Sequence, residues 1–294
     1  MACAKFFLSK NKPRLNNQKI KTFIKNILAE DIGRGDITTQ LILPKAVAIK
    51  AKIIAKEDFL LCGIDLAGKI FKALDSSLKF KPLSKEGRQV HVNQVLALIT
   101  GNSNSILTAE RVALNLLALL SAVATKTAEF VKKIQPYKTK IIDTRKTIAG
   151  LRSLQKYAVK IGGGYNHRMR LDEMVLIKDN HLKIKGNNFK LPKIPKGYKI
   201  EIETQNLKEF EFALKLKPDI IMLDNMRTQD IVKAVSMKNN LKFSHLIQLE
   251  ASGGIHLGNV KKYAATGVDM ISVGELTDSI ASVDISLEID SSRY

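Results

Sequence analysis

Five cationic side chains stand at the ends of short apolar runs or directly after a glycine turn. Arg145 and Lys146 end one run, Lys178 ends the next, and His167 and Arg168 follow a triple-glycine turn. A guanidinium group can bind two oxygens of a carboxylate or phosphate at once. Any one of these cations alone could form a surface ion pair. Five of them at one site predict a substrate that carries several negative charges.

Two carboxylates end the following two runs. Glu203 and Asp224 should lie side by side where neighbouring strands end. Such a pair can bind Mg²⁺, act as acid and base, or hold ribose hydroxyl groups. Salt bridges to the nearby lysines are the structural alternative. We expect Glu201 to point to the opposite face of its strand, and we therefore assign Glu203 alone to the site.

Glycine-bearing turns end the last two runs, at Ser252–Ile255 and Ser272–Glu275. Gly253, Gly254 and Gly274 would let backbone N–H groups approach phosphate oxygens closely, although any turn can use glycine. The sequence contains no P-loop, no Cys/His metal cluster and no nucleophile-elbow serine. These turns therefore indicate phosphate binding only in combination with the neighbouring cations.

The six runs have the length and composition of buried β-strands, and helical segments separate the later ones. This alternation predicts a parallel sheet, because each crossover needs a connection about the size of a helix. Functional side chains at every strand end favour a barrel over an open doubly wound sheet. Six strands instead of eight would make this α/β barrel incomplete. The runs begin at Lys140, Met174, Ile200, Ile220, Leu246 and Met270.

A different pattern precedes these runs. Residues 18–30 predict an amphipathic helix, and Ala48–Ala55 is one of several short β-rich runs around a further helical stretch. Glu110–Ile134 is a long helical pattern that is almost free of helix breakers. The sequence therefore predicts a small α+β unit before the barrel.

The composition is that of a globular protein, with 45% hydrophobic and 26% charged residues among 294. The net charge of +20 would also suit a nucleic-acid-binding protein. The lysines are spread along the whole chain, however, and aromatic residues make up only 6%. We therefore expect no nucleic-acid partner and interpret the charge as solvated lysines that also steer small anions.

Three features of the sequence bear on the cellular location of the protein. The two cysteines, Cys3 and Cys62, suggest no disulfide framework, which favours a reducing cytoplasm. The apolar patch Phe6–Leu8 is too short for a signal peptide. No apolar run approaches the roughly 20 residues that cross a bilayer, so we expect no membrane association.

In order and spacing, the motifs of this chain resemble those of the nicotinate-nucleotide pyrophosphorylase family, also called quinolinate phosphoribosyltransferases (decarboxylating). The resemblance covers nearly the whole chain. The motifs are Glu30–Thr39, Glu110–Asn115, Asp143–Thr147, Gly162–Met169, Met174–His181, Ile221–Met226 and Leu249–Ile255.

The resemblance implies a fold and a reaction. An α/β sandwich domain, assigned to residues 1–118, would precede an incomplete α/β barrel at 119–278, and a tail at 279–294 would return to the first domain. Quinolinate and phosphoribosyl pyrophosphate would react, with Mg²⁺ as cofactor, to give nicotinate mononucleotide, pyrophosphate and CO₂. The protein would be a homodimer, with further assembly of dimers left open.

The resemblance also implies roles for individual residues. Arg145, His167 and Arg168 would hold quinolinate, and Arg111 would reach the site from the partner subunit. The remaining residues would serve the phosphoribosyl group, its phosphates, the adjacent carboxylate and the metal ion, and Lys146, Glu203 and Asp224 are expected to be catalytic. That set is Thr144, Lys146, Lys178, Glu203, Asp224, Ser252, Gly253, Gly254, Val273, Gly274 and Glu275.

Three positions depart from the pattern of this family. Ala149 replaces a common proline, Arg170 a small residue, and Asp278 a frequent histidine. The lysine-rich stretch Lys183–Lys199 has no assigned role. The alternatives are a sugar-phosphate lyase or isomerase on a similar barrel, a relative from the same superfamily linked to molybdenum transport, and a nucleic-acid-binding protein.

Overall fold

The computed structural model describes residues 17–186, 189–242 and 244–290. Cys3 and the Phe6–Leu8 patch lie outside these residues, as do the first 16 and last four residues of the domains assigned above. Two compact units are present. The sandwich unit comprises residues 17–126, 153–162 and 280–290, and the barrel unit comprises the described residues of 127–152 and 163–279. The assigned boundary between residues 118 and 119 stays a prediction.

Helices and strands are numbered in chain order. The helices are α1 Asn17–Ile32, α2 Ile37–Ile42, α3 Ile64–Leu74, α4 Ser103–Lys133, α5 Arg152–Ile161, α6 Asp179–Lys185, α7 Leu207–Leu216, α8 Thr228–Asn239 and α9 Val260–Ala264. The strands are β1 Ala48–Ala55, β2 Phe59–Leu60, β3 Lys79–Pro82, β4 Gln89–Val90, β5 Val95–Asn102, β6 Lys140–Ile142, β7 Val175–Ile177, β8 Ile200–Thr204, β9 Ile220–Asp224, β10 Gln248–Ser252, β11 Met270–Ser272 and β12 Ile285–Ile289.

The sandwich unit is built on an antiparallel sheet with the strand order β12-β1-β5-β3. Alternate residues of β1 are buried, as the pleat requires when one face of a sheet packs on a core. The amphipathic helix expected at residues 18–30 is confirmed as α1, which buries Ile20, Ile24 and Leu28 at intervals of four. Strand β12 extends this sheet, because it pairs with β1 from Ala51 opposite Ile289 onward.

The barrel unit contains the six expected strands, all parallel, in the order β6-β11-β10-β9-β8-β7. The ladder is open between β6 and β7, where Tyr165 makes a single parallel bridge to Ile142. Below the strand ends, the interior is closed by buried apolar side chains that include Ile142, Met174, Ile220 and Met270. The prediction of an incomplete α/β barrel is confirmed.

Helix α4 begins at Ser103, seven residues before the predicted start, and continues from the sandwich unit into the first residues of the barrel unit. It corrects one expectation, since a window of 18 residues in α4 has a mean hydropathy of 1.7 and could cross a bilayer by length and composition. However, 61% of that window is buried within the protein. Burial of this kind is typical of a core helix.

Helices α7 and α8 confirm the prediction that helical segments separate the later strands. Helix α5 was not predicted, although it buries apolar residues at helical spacing, Leu154 and Ala158 among them. Helix α6 was also not predicted. Its last three residues lie in the lysine-rich stretch Lys183–Lys199. None of the residues of α6 is buried, so no apolar periodicity in the sequence indicates this helix.

Candidate active site

A cavity of about 780 Å³ opens at the carboxyl ends of the barrel strands. Its wall contains every residue assigned to the site from the sequence except Arg111 and Val273. Those that line it are Thr144, Arg145, Lys146, His167, Arg168, Lys178, Glu203, Asp224, Ser252, Gly253, Gly254, Gly274 and Glu275. Parallel strands bring their carboxyl ends to one edge, and this explains why residues far apart in sequence meet here.

The segment after β6 carries the first cations. Thr144 accepts a hydrogen bond at its Oγ1 atom from the backbone N–H of Lys146, at 2.9 Å. Thr277 donates its hydroxyl proton to the carbonyl oxygen of Lys146 at 2.6 Å. These bonds fix the backbone of the turn, whereas the side chain of Lys146 is exposed. Arg145 is partly buried, and its Nε has no hydrogen-bond partner among the described residues.

Three hydrogen bonds fix His167. Its backbone N–H donates to Oδ1 of buried Asp143 at 2.8 Å, and its Nε2 lies 2.9 Å from Oε2 of Glu201. Its Nδ1 accepts from the backbone N–H of Arg168 at 2.8 Å. A backbone N–H can only donate, so Nδ1 carries no proton and the ring is neutral with its proton on Nε2. The expectation that His167 is one of five cations is therefore wrong for this arrangement.

Arg168 lies at the bottom of the cavity and is 6% exposed. Its Nη1 donates to the carbonyl oxygen of Met174 at 3.0 Å. Burial and the positive charge of Arg145 lower the pKa of Arg168 from its ordinary value, and Glu201 opposes this. Two guanidinium groups are thus held close together, which is favourable only when negative charge lies near them.

Glu201 corrects a second expectation. Residues two apart on a strand share a face, so Glu201 and Glu203 point to the same side of β8. Both are buried, and they contact His167 and Lys178 respectively. Glu250 of β10 is also fully buried, and its Oε2 lies 3.7 Å from Nε2 of His167.

Burial and the charge of Glu201 raise the pKa of Glu250 to about 8. Ser272 is close enough to lower the pKa of Glu250, but no described residue has the distance and angle of a hydrogen bond to either of its oxygens. We call Arg145, His167, Arg168 and Glu201 the floor of the cavity, and Glu250 lies next to this floor.

Glu203 and Asp224 stand at the ends of β8 and β9. Oε2 of Glu203 lies 3.2 Å from Nζ of Lys178, whose side chain is 49% exposed. Burial raises the pKa of Glu203, the hydrogen bond and charge of Lys178 lower it, and the charge of Asp224 raises it. Asp224 accepts a hydrogen bond from Nδ2 of Asn225 at 2.8 Å.

Two turns complete the wall. Gly253 has φ +90°, and a Cβ atom there would collide with the side chain of Asn225 and lie 2.8 Å from its backbone nitrogen. Only glycine fits this position. Gly254 has φ +58° and open space where a Cβ would be. The turn can therefore present its backbone to a ligand.

Val273 does not line the cavity. Its backbone N–H donates to the carbonyl oxygen of Ile142 at 3.0 Å and so cannot also bind phosphate. This corrects the sequence-based assignment. Gly274 does line the cavity, and a Cβ there would lie 2.8 Å from Oδ2 of Asp278. We call Lys146, Lys178, Glu203, Asp224 and the turns at Ser252–Gly254 and Gly274–Glu275 the phosphate side of the cavity.

The three residues that depart from the expected motif pattern, Ala149, Arg170 and Asp278, lie in different surroundings. Asp278 lines the cavity next to Gly274. Arg170 is exposed, forms ion pairs with Asp172 at 2.9 Å and Glu173 at 3.7 Å, and does not line the cavity. Ala149 is exposed in the turn before α5. Arg111 lies exposed on α4 in the sandwich unit and does not line the cavity.

The cavity also contains residues that the sequence reasoning did not assign to the site, among them Glu250, Asn225 and His256. Glu250 had a usable signal, because a glutamate between apolar strand residues is rarely buried without a function. Asn225 follows Asp224 with φ +55°, a conformation that asparagine tolerates better than most residues. Nothing in the sequence marked His256.

Two family models match the chain. The model described as quinolinate phosphoribosyl transferase, N-terminal domain, matches residues 36–121, and the C-terminal domain model matches residues 123–288.

Individual proteins are similar over most of their length. A probable nicotinate-nucleotide pyrophosphorylase (carboxylating) from Synechocystis sp. is 42% identical over 275 residues, 92% of each chain. One with the same name from Methanocaldococcus jannaschii is 42% identical over 276 residues, 90% of this chain and 95% of that protein. The solved structure of the nicotinate-nucleotide pyrophosphorylase from Francisella tularensis superposes with a TM-score of 0.85 at 39% identity, covering 94% of this chain and 98% of that one.

Proposed function

The chain belongs to the quinolinate phosphoribosyltransferase family, and from this premise we propose how its own residues carry out the reaction. The enzyme transfers a phosphoribosyl group from phosphoribosyl pyrophosphate to quinolinate in de novo NAD synthesis. The products are nicotinate mononucleotide, pyrophosphate and CO₂. The observation that supports the assignment of roles is one cavity in which a guanidinium pair faces two strand-end carboxylates.

Quinolinate binds at the floor. Arg145 and Arg168 meet its two adjacent carboxylates, because two planar guanidinium groups suit two planar anions. Quinolinate then brings further negative charge to the desolvated guanidinium of Arg168, whose pKa is lowered by burial and by the charge of Arg145. His167, being neutral, does not bind a carboxylate as a cation; it packs against the ring and fixes the backbone of Arg168.

Phosphoribosyl pyrophosphate binds on the phosphate side. The exposed ammonium groups of Lys146 and Lys178 reach the pyrophosphate and the carboxylate beside it. The backbone at Gly253–Gly254 and at Gly274 holds the 5′-phosphate, since glycine lets N–H groups approach phosphate oxygens closely. Asp224 and Glu203 accept hydrogen bonds from the ribose hydroxyl groups.

Mg²⁺ suits the donor set on this side. Carboxylate oxygens from two strand ends, together with substrate phosphates, are the ligands that Mg²⁺ prefers. Glu203 and Asp224 would hold it, directly or through water. When bound, the ion supplies positive charge that stabilises the departing pyrophosphate.

The chemical step breaks the bond between ribose C1 and the pyrophosphate oxygen, and the bonding electrons leave with pyrophosphate. Glu203 and Asp224 stabilise the positive charge that develops on the ribose. The lone pair of the pyridine nitrogen then forms the new bond to C1. The quaternised nitrogen accepts the electrons released when CO₂ leaves the adjacent carbon, and a solvent proton replaces CO₂.

Arg111 acts from a partner subunit in a two-fold dimer. The surface beside Arg111 supports this proposal, because α2 exposes Ile37, Leu41 and Ile42, each about 70% exposed. This helix is tied to α4 through Asp36, which accepts a hydrogen bond from Thr108 at 3.2 Å, one helical turn before Arg111. Apolar groups that cluster beside a cation needed at an active site suit an interface that completes the site.

A subunit-mixing experiment tests this dimer. Arg111→Ala and Arg145→Ala should each be nearly inactive alone. After subunit exchange from equal amounts, about half the dimers are mixed, and each has one intact site and one doubly damaged site. Activity should therefore recover to roughly a quarter of wild type. No recovery, despite exchange proven by mass spectrometry, would show that Arg111 acts within its own chain or not at all.

An assay of product formation with two pyridine substrates tests the assigned roles at the floor. Nicotinate lacks one carboxylate, and a buried cation left without its partner costs about 1–3 kcal/mol or more, so nicotinate should react at least about fivefold to 100-fold less efficiently. Equal efficiency with both substrates would contradict the proposed binding by both Arg145 and Arg168.

We also propose that the enzyme works in a reducing compartment such as the cytoplasm. Cys62 supports this, because it is a free, buried thiol in the sandwich unit. Burial raises the pKa of this thiol well above its ordinary value, which keeps it unreactive.

A further inference from the structure

Three acidic side chains surround His167 beneath the guanidinium pair. Asp143 and Glu201 each make a hydrogen bond to His167, and Glu250 lies 3.7 Å from its Nε2. All three carboxyl groups are fully buried. The mechanism proposed above uses none of them, although ionised groups in a protein interior are costly unless they are paired.

The neighbours of Glu250 do not compensate a negative charge on its carboxyl group. His167 is neutral, and its Nε2–H group donates a hydrogen bond to Glu201, so it does not donate to Glu250. Both oxygens of Glu250 and Oε1 of Glu201 have no hydrogen-bond partner among the described residues. The space beside Glu250 and His167 is a cavity of about 10 Å³, at the lower limit for a single water molecule. Glu250 also lines the main cavity, but its side chain is fully buried and does not contact bulk solvent.

A proton on Glu250 removes the cost of burying an ionised carboxylate without a partner. The potential ligand atoms of His167, Glu201 and Glu250 all lie within 4.8 Å of one another, so ionised Glu201 and Glu250 would repel each other, and a proton on Glu250 relieves that repulsion. The charged and titratable groups that face Glu250 are Glu201 on β8, His167, and Asp143 after β6. Burial and the charge of Glu201 raise the pKa of Glu250 to about 8, so that it is mostly protonated near neutral pH.

Substrate binding makes an ionised Glu250 still less favourable. A dicarboxylate at Arg145 and Arg168 brings two further negative charges to the floor, close to Glu201, whose charge already acts on Arg168. We propose that Glu250 is a positioning residue that stays protonated beneath the bound dicarboxylate, so that binding at alkaline pH takes up a proton. This inference rests on the proposed binding of quinolinate at Arg145 and Arg168.

Quinolinate affinity as a function of pH tests the proposal. The free wild-type enzyme loses the Glu250 proton above about pH 8, and binding must restore it. The wild-type Kd should therefore be about tenfold higher at pH 9 than at pH 7. Titration calorimetry in two buffers of different ionisation enthalpy should give proton uptake near zero at pH 7 and approaching one at pH 9.

Glu250→Gln is the informative variant, because glutamine keeps the shape of the protonated carboxyl group and cannot ionise. Its Kd should match wild type at pH 7 and change less than about twofold up to pH 9. Glu86→Gln is the matched control. Glu86 is a half-buried carboxyl group of the sandwich unit, its pKa is also raised by burial, and its replacement should leave the wild-type pH profile of binding unchanged. An alkaline loss of affinity that persists in Glu250→Gln would overturn the proposal.

A stability measurement without substrate separates this proposal from the assignment of the substrate site. A raised folded pKa means that wild-type folding takes up a proton between about pH 4.5 and 8, so wild-type stability falls across that window. Glu250→Gln should therefore melt at about the wild-type temperature at pH 4.5 and at a higher temperature at pH 8. A variant that melts lower at both pH values would contradict a protonated Glu250. So would stoichiometric metal in the purified enzyme, because a cation would keep both carboxylates ionised.

Discussion

The floor and the phosphate side of the cavity are both built for anions but by different means. At the floor, Arg168 is 6% exposed, and the groups around it are fixed by hydrogen bonds to β6 and β8. On the phosphate side, Lys146 and Lys178 have exposed side chains, and backbone turns line the rest of the wall. The floor suits a rigid planar dicarboxylate, whereas the phosphate side suits a flexible polyphosphate.

This difference has an energetic consequence. Interactions between charges weaken with the polarity of their surroundings and with salt, so a buried guanidinium contributes more per contact than an exposed ammonium. Removing a group at the floor should therefore abolish pyridine binding. Removing one on the phosphate side should reduce the rate more than it reduces the affinity for quinolinate.

The largest effect is expected for Arg145→Ala. Truncating one partner of a buried, hydrogen-bonded charge pair costs about 2–5 kcal/mol, so the Kd of quinolinate should rise by at least about 30-fold. The fold should be unaffected, because Nε of Arg145 has no hydrogen-bond partner among the described residues. Calorimetry with quinolinate alone and thermal melting measure the two effects.

Arg145→Lys is the matched control, since it keeps the charge and loses the planar fork; it should recover only part of the affinity. If Arg145→Ala binds quinolinate as wild type does, the floor is not the pyridine site and the comparison between the two sides fails.

Asp224→Asn should have the next largest effect, and of a different kind. A hydrogen bond to a charged group contributes about 1.5–3 kcal/mol, so kcat should fall by about tenfold to 100-fold. Quinolinate affinity should change by less than about twofold, because Asp224 lies on the other side of the cavity. Steady-state rates at several Mg²⁺ concentrations measure the effect on kcat, and separate quinolinate titrations measure the effect on affinity.

A variant that loses quinolinate binding while it keeps its response to Mg²⁺ would reverse the assigned roles. Asn225→Asp is not a suitable control, because Asn225 donates a hydrogen bond to Asp224. Asp230→Asn is better matched. Asp230 is also paired on the barrel unit, with Arg227 and Lys233, and it does not line the cavity.

The phosphate side was the more predictable half of this site. Glu203, Asp224 and the two glycine turns sit at strand ends, and strand ends can be located from apolar runs and turn residues. The floor was less predictable. The charge state of His167 depends on which group meets each ring nitrogen, and that is set by the path of the chain between β6 and β7.

Two errors had different causes. Glu201 was assigned to the opposite face from Glu203, although a strand places residues two apart on one face. Val273 was assigned to phosphate binding because it stands in a turn next to Gly274. Its N–H is already bonded to Ile142, a contact made between β6 and the end of β11 that spacing in the sequence does not reveal.

The smallest effect is expected for Arg170→Ala. Comparing this variant with Arg168→Ala tests whether the burial of an arginine decides its importance for binding. Arg170 and Arg168 are two residues apart in one segment, but the side chain of Arg170 is 62% exposed and forms ion pairs with Asp172 and Glu173. Exposed ion pairs contribute about 0–1 kcal/mol, and salt weakens them further. Both the quinolinate Kd and kcat should therefore stay within about twofold of wild type. Arg168→Ala, measured alongside, should lose quinolinate binding as Arg145→Ala does. If Arg170→Ala instead raises the Kd of quinolinate tenfold in a variant with unchanged melting, Arg170 contacts the substrate, and the floor extends beyond the buried guanidinium pair.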